Sequence, residues 1–498
     1  MNRALRRISF ACLAMFVLLL VNANYVQAFE ANSLASKPGN ARTFTEQFQY
    51  QRGSIVTADN KTIAESRPVK GVYKYQRYYP YGPVYAPVTG FDSIYNATGI
   101  EAAENRQLTG SSPDLAVHNL INLVTGKPQR GATVQLTINS AAQQAAYSAL
   151  QAFGHEAGVV ALDPQNGAIL ALASYPTFDP NQLTSFDGTT YNKTYDELNA
   201  NPSHPLVSNA LSETFPPGST FKIVTSSTAI STGKYTPDTP VYAPTSLTLP
   251  DTTNKLINDG GETCNNGSNP TGNGKVPLIY AFTVSCNTVF GNLGEQLGGT
   301  ALRAQANKFG FNDQNLTIPL PVAASNFPPV SDADLTAYSA IGQYSDTVTP
   351  LQEAMFAAAI ADNGILMKPY LVQKIIAPDL TSLETTNPTT FSTAVTPTVA
   401  SDVKRMMISV TQSPAGTAYA TANLQAAGGI EIAGKTGTAQ NGIGNGNLDD
   451  AVFTCFAPAN NPEIAVGVVV KGGGFGADAA APIAVKIIKA YLASQAKQ

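Results

Sequence analysis

The chain has 498 residues, 43% of them hydrophobic, and a formal net charge of −4. That length exceeds a single ordinary core, so two or more domains are expected. The slightly acidic balance carries no nucleic-acid footprint, and 40 glycines with 33 prolines speak for many turns and against a helical bundle.

Arg3, Arg6 and Arg7 precede an almost wholly apolar run, Ile8 to Ala23. At about 16 residues it is short for a membrane-spanning helix and long for a signal-peptide core. The arginines place the N-terminus in the cytoplasm. Val26-Gln27-Ala28 also reads as a signal-peptidase site, so an uncleaved anchor and a cleaved leader both stand. Either puts the bulk of the chain outside the cytoplasmic membrane. Phe29 to Thr43 is polar with small residues and reads as a stalk.

Arg52-Gly53-Ser54-Ile55, with the alternation from Val56 to Ile63, predicts a strand pair turning at Asp59-Asn60. Tyr73 to Tyr85 is rich in tyrosine and reads as half-buried strand and loop, with a sugar-binding platform as the alternative. Val134 to Ile138 alternates as a strand, and Asn139 or Ser140 caps a helix from Ala141 to Ala152. Gly158 to Leu162 and Ile169 to Ala173 form a hairpin through the turn residues Asp163 to Gly167.

Phe215-Pro216-Pro217-Gly218 punctuates the start of a helix, Phe221 to Thr232. Ser219 falls at its N-terminus, where backbone N–H groups and the helix dipole favour negative charge. Lys222, three residues on, shares its face. A serine hydroxyl is a poor nucleophile at neutral pH and needs a neighbouring base. A lysine one turn away serves if burial lowers its pKa. Taken alone, the pair also describes two solvated side chains on an ordinary helix.

Val276 to Val284 and Thr288 to Leu297 predict two more helices, with Ser285-Cys286-Asn287 at their junction, where a hydroxyl and an amide can project into a cleft. Thr349 caps a further helix with Pro350 at its first position. Ile430 to Ala439, Val452 to Phe456 and Ile464 to Val470 are apolar strands, and Ala480 to Ala493 is a closing helix. Lys435-Thr436-Gly437-Thr438 lies on the first of these strands.

Of the cysteines, Cys12 belongs to the apolar run, and the other three lie on the oxidising side. Cys264 precedes the segment that leads into Cys286, which makes these two the candidate disulfide; three buried free thiols are the alternative. No Cys/His spacing suggests a metal, and His118, His155 and His204 are scattered.

The order S-x-x-K, S-x-N, K-T-G, here Ser219/Lys222, Ser285/Asn287 and Lys435/Gly437, is the motif set of penicillin-binding proteins and class A β-lactamases. The sequence resembles a class B penicillin-binding protein, the monofunctional peptidoglycan D,D-transpeptidase, of the actinobacterial penicillin-binding protein A type. The resemblance runs from about Arg52 to the C-terminus and includes Arg52-Gly53-Ser54-Ile55, Tyr85 to Phe91 and Gly99-Ile100-Glu101.

The resemblance implies an α+β, multidomain chain. A penicillin-recognising transpeptidase fold (a five-stranded antiparallel sheet flanked by helices, with an all-helical subdomain) joins an N-terminal, mainly β pedestal and a membrane anchor. The implied division is 1–7 cytoplasmic, 8–25 transmembrane, 26–150 pedestal with linker, and 151–498 transpeptidase. Ser219 would attack the carbonyl between the two D-alanines of a peptidoglycan stem peptide, and a neighbouring stem's amine would accept the acyl group. Lys222 would take the Ser219 proton. Ser285 would relay a proton to the leaving amine, and Asn287 would hold Lys222 and the substrate amide. Lys435 would bring charge near the substrate carboxylate, Thr436 or Thr438 would bond it, and Gly437 would leave room for substrate. The N–H groups of Ser219 and Thr438 would form the oxyanion hole. Penicillins would acylate Ser219 by the same route. No cofactor is implied; the implied partner is a membrane glycan polymerase.

Two departures and two rival functions accompany this reading. The chain has no tryptophan, and the glycine-rich loop Asn441 to Asp450 lacks the family's usual pattern, so substrate contacts do not carry over there. A β-lactamase or carboxypeptidase shares the motifs, but a β-lactamase would be shorter and would need a glutamate-activated water. A β-lactam sensor or scaffold would carry a larger cytoplasmic portion than Met1 to Arg7, or would not need all three motifs intact.

Overall fold

The computed structural model describes residues 3–30, 46–126, 128–250, 252–259, 263–264, 274–440 and 449–496. Helix α1 (Arg3–Tyr25) contains an apolar stretch, Arg6–Tyr25, of mean hydropathy 1.9 and with none of it buried. Its 20 residues suffice to cross a membrane by length and composition. Residues 31–45, where most of the stalk was expected, lie outside the described residues, as do residues 441–448 of the glycine-rich loop.

Strands β1 (Ile55–Val56) and β2 (Thr62–Pro68) pair antiparallel around a turn in which Asn60 takes φ 61°. Strand β3 (Tyr75–Tyr78) adds to β2. Tyr79 and Tyr85 are buried, so the tyrosine-rich run is strand and packed loop. Strand β4 (Thr133–Leu136) is buried along most of its length rather than alternating. Helix α2 (Ser140–Phe153) follows, with Asn139 accepting from the N–H groups of Ala141 and Ala142. Four short helices between Ala86 and Thr125 make this region more mixed than the mainly β pedestal expected.

Its centre is a buried ion cluster. Glu101 receives Arg52 Nε at 2.7 Å and Arg77 Nε at 2.5 Å, and Tyr79 Oη at 3.2 Å. Burial alone would raise the Glu101 carboxyl, but Arg77 and Arg52 hold it below its ordinary value.

The second layer begins with β5 (Ala157–Leu162) and β6 (Ile169–Tyr175), the expected hairpin. Helix α3 (Lys222–Ser231) follows a 3-10 turn, Gly218–Phe221, that carries Ser219. Helices α4 (Leu278–Thr283) and α5 (Asn287–Leu297) flank the second motif; Val276 and Pro277, expected as helix, belong to a strand, Lys275–Pro277, paired with Pro240–Tyr242. Helix α6 (Pro350–Ala361) is capped by Thr349 and buried on every side. An all-buried helix belongs to a core, not to a surface.

Strands β7 (Val372–Ile376) and β8 (Ser382–Thr385) come next, then helix α7 (Pro397–Gln412), strands β9 (Ala433–Ala439), β10 (Asp450–Ala457) and β11 (Ile464–Val470), and helix α8 (Ala480–Gln495). The five-stranded antiparallel sheet runs β9-β10-β11-β5-β6. Its inner strands are mostly apolar, Asp450 and Thr454 of β10 excepted, because both faces are covered, by α2 and α8 on one side and α6 on the other. At Gly467 a Cβ would come within 2.4 Å of Ala354 N, so only glycine lets α6 press onto β11.

The first sheet has six strands, ordered β8-β7-β4-β1-β2-β3. The division expected at residue 150 is therefore crossed twice. Strands β7 and β8, over 200 residues downstream of β4, complete the pedestal sheet, and α2, which lies mostly ahead of residue 150, packs on β6 and α8.

Candidate active site

Three elements converge on the serine. The 3-10 turn starts at Gly218, whose φ of +55° favours glycine and whose added Cβ would lie 2.7 Å from Thr438 O. Gly218 N donates to Gly342 O at 2.9 Å. The nucleophile turn is thus wedged between strand β9 and the Gly342 turn. Ser285 takes φ 59°, an unusual conformation for serine, at the junction of α4 and α5.

Lys222 Nζ sits among four oxygens: Ser219 Oγ at 2.9 Å, Ser285 O at 2.8 Å, Ser285 Oγ at 3.2 Å and Asn287 Oδ1 at 2.6 Å. The Ser285 carbonyl and the Asn287 amide oxygen can only accept. A neutral amine donates its two protons to them and turns its lone pair to the Ser219 hydroxyl. Burial pulls Lys222 down to about 7, and Asp259 opposes that shift. A neutral Lys222 amine at this distance can accept the Ser219 proton.

Lys435 Nζ bonds Ser285 Oγ at 2.9 Å and Thr436 O at 3.0 Å. Burial first, then the Lys222 charge, lowers it well below the usual range. Two ammonium groups around one hydroxyl repel, so proton loss from either is favoured. Lys435 is fully buried, and its amine faces the cleft through Ser285 Oγ.

Two cavities, about 340 Å³ and about 470 Å³, meet at Ser219. Asp259, Asn287, Gln343 and Thr438 border the first, and Ser285, Thr417, Thr436 and Thr438 the second. Strand β9 is the edge of its sheet, open to an added extended chain. Gly437 does not supply the room expected of it: a Cβ there would meet Pro217 O at 2.8 Å and Thr220 Cγ2 at 3.1 Å, so the nucleophile's own turn fills that space.

Cys264 and Cys286 form a disulfide with Cα atoms 5.4 Å apart. It ties the chain near Asp259 to the residue between Ser285 and Asn287. Cys455 is free and buried, and burial pushes its thiol far above the ordinary value. Among the described residues no cluster of His, Cys, Asp or Glu could hold a metal ion.

The sequence reading missed Asp259, which accepts from Asn287 Nδ2 at 3.1 Å, and Thr417, whose Oγ1 lies 2.6 Å from Thr436 Oγ1. It also missed Gln343, whose Nε2 donates to Thr438 O at 3.4 Å. None of them carries a spacing signal of its own.

This fold and site define a serine acyl-transferase of the penicillin-recognising class. Residues 157–489 match the penicillin binding protein transpeptidase domain, and residues 52–134 match the penicillin binding protein A dimerisation domain. The chain belongs to the penicillin-binding proteins, in the class B group of actinobacterial penicillin-binding protein A type. It is 41% identical over 502 aligned positions to the peptidoglycan D,D-transpeptidase PbpA of Mycolicibacterium smegmatis, covering 99% of each chain. To the PbpA of Mycobacterium tuberculosis it is 40% identical over the same span. The M. tuberculosis penicillin-binding protein A in its penicillin G acyl-enzyme complex superposes with a TM-score of 0.82 at 38% identity, covering 89% of this chain and all of that one.

Proposed function

We infer that the protein is a peptidoglycan D,D-transpeptidase, a serine enzyme that cross-links stem peptides through an acyl-enzyme and is acylated by β-lactams. Its relatives carry that activity by name and form β-lactam acyl-enzymes. The observation that carries the residue roles is the cage of four oxygens around Lys222 Nζ.

Lys222 takes the Ser219 proton as Oγ attacks the carbonyl of the penultimate D-alanine. The negative charge that develops on that oxygen is met by the N–H groups of Ser219 and Thr438, typically worth ~3 kcal/mol per donor. The carbonyl–nitrogen bond breaks, and the leaving D-alanine takes a proton from Ser285 Oγ, which Lys222 or Lys435 restores. Asn287 holds Lys222 on one side and the substrate amide on the other. Thr436 and Thr438 receive the substrate carboxylate. An amine from a second stem then attacks the ester by the reverse proton path. This series is tested by intact mass after fluorescent penicillin: a stable adduct is expected on the native protein and none on Ser219→Ala or Lys222→Ala. Rapid hydrolysis without an adduct would point to a β-lactamase instead.

The apolar helix α1 supports anchoring to the membrane. We place the catalytic part outside it and 1–7 inside, from the arginine bias; a protease that digests the domain from the cytoplasmic side would refute this. The boundary between pedestal and transpeptidase is proposed ahead of Ser140, because α2 packs on the transpeptidase sheet. The partner proposed is a membrane glycan polymerase, docked on the pedestal; unchanged complementation after replacing the pedestal would remove that idea.

A further inference from the structure

Glu353 lies in the middle of α6, a helix buried on every side, and is itself fully buried. Among the described residues one of its oxygens, Oε2, has no hydrogen-bond partner, and the other, Oε1, lies 2.8 Å from Thr220 Oγ1. The same Thr220 Oγ1 lies 2.8 Å from Pro217 O. Thr220 has one hydroxyl proton, and a backbone carbonyl can only accept. Both contacts are hydrogen bonds at once only if Thr220 donates to Pro217 and Glu353 donates to Thr220. Pro217 and Thr220 flank Ser219 and bracket the space left by Gly437.

We propose that Glu353 is a positioning residue for the nucleophile: as a neutral acid it donates to Thr220 Oγ1, Thr220 donates to Pro217 O, and this two-bond chain holds the turn that presents Ser219. The proposal rests on the transpeptidase reading of the same site.

Burial pushes the Glu353 carboxyl up to about 8, with Thr220 opposing, which keeps it protonated at neutral pH. The elements packed on α6 bring few ionisable groups: none on β5 or β11, Asp450 and Cys455 on β10, and Asp402, Lys404 and Arg405 on α7. Lys222 and Lys435 stand across the nucleophile turn. None of these groups shifts Glu353. Ionisation would remove the proton that Thr220 accepts, turn the Thr220 proton towards the carboxylate, and free Pro217 O. The turn would then lose its brace above about pH 8.

The experiment measures the second-order rate of acylation by a fluorescent penicillin on the full chain in detergent, from about pH 6 to about pH 9.5. Wild type, Glu353→Gln, Glu353→Leu and Thr220→Val are compared, with melting temperature as the fold control. Wild type is expected to rise through neutral pH and fall on the alkaline side. Glu353→Gln still donates to Thr220 but cannot ionise. It should stay within ~3-fold of wild type at pH 7 and lose the alkaline fall or move it by about one pH unit or more. Glu353→Leu and Thr220→Val should each be ~10-fold slower while folded. An alkaline limb in Glu353→Gln that superimposes on wild type overturns the proposal. If Glu353→Gln does not fold, a wild-type rate in Thr220→Val overturns it instead. Absence of any adduct on folded wild type would remove the transpeptidase reading, and this inference with it; an adduct with an unmoved limb removes the inference alone.

Discussion

Lys222 Nζ and Asn287 Oδ1 stand 2.6 Å apart, the shortest contact that Lys222 makes. The amide oxygen faces the amine, so its NH2 group is turned the other way, towards Asp259 Oδ1 and Ile257 O. One side chain thus links the Lys222 amine to Asp259. Asn287→Ala is expected to slow acylation by ~10²-fold with little loss of fold, because the base loses its orientation; rate and melting temperature measured together check this.

Acylation should rise with pH through about 7 as Lys222 loses its proton. Stability should follow with a definite sign. The folded value lies below the ordinary 10.5, so between about 7 and 10.5 the unfolded chain binds more protons. Stability gained from this group therefore rises with pH across that window and is absent below it. Lys222→Met should be inert, yet more stable than wild type by ~1–3 kcal/mol near neutral pH. Thermal melts at several pH values decide.

Asp259 favours the protonated forms of both lysines. Asp259→Asn should move the rising limb of acylation towards lower pH. The carboxylate is exposed, so the move should be a few tenths of a pH unit and shrink as salt is added. A limb that moves to higher pH would contradict the assignment.

Gly437→Ala places a methyl against Pro217 O and Val452 Cβ, the latter 3.0 Å away. The strand can yield at the sheet edge only by shifting the nucleophile turn. A loss of ~10-fold or more in acylation is expected, larger than the change in melting temperature suggests.

The Cys264–Cys286 bond spans 22 residues of sequence. Closing a loop of that length stabilises by ~3 kcal/mol in the chain-entropy picture. Reduction should lower the melting temperature and also slow acylation, since Cys286 lies between Ser285 and Asn287. Mass shift under reductant, melting and penicillin labelling in one series would show whether the two losses coincide.

Local chemistry was readable from the sequence where it depends on spacing. Ser219 and Lys222 share a helix face, Thr349 with Pro350 starts a helix, and the hairpin at Asp163 to Gly167 has turn residues where a turn falls. All of these depend on contacts a few residues apart, which propensity and periodicity report directly. The motif order named the family for the same reason: each motif is contiguous, and their roles follow from residue type.

Only the folded chain decided the rest, because it depends on what packs against what across hundreds of residues. The pairing of β7 with β4 crosses the expected domain division, and no local pattern marks a strand as the partner of one so distant. Gly437 was read as room for substrate, and the structure fills that room with Pro217 and Thr220. Lys435 was read as charge near the substrate carboxylate, and the structure buries it with its amine on Ser285 Oγ. Glu353 reads as one acidic residue on an apolar helix, and its meaning comes from Thr220, 133 positions away. The sequence by itself determined the reaction class; tertiary packing decided which protons stay on which atoms, since burial and neighbours set those energies and neither is written in any single stretch of chain.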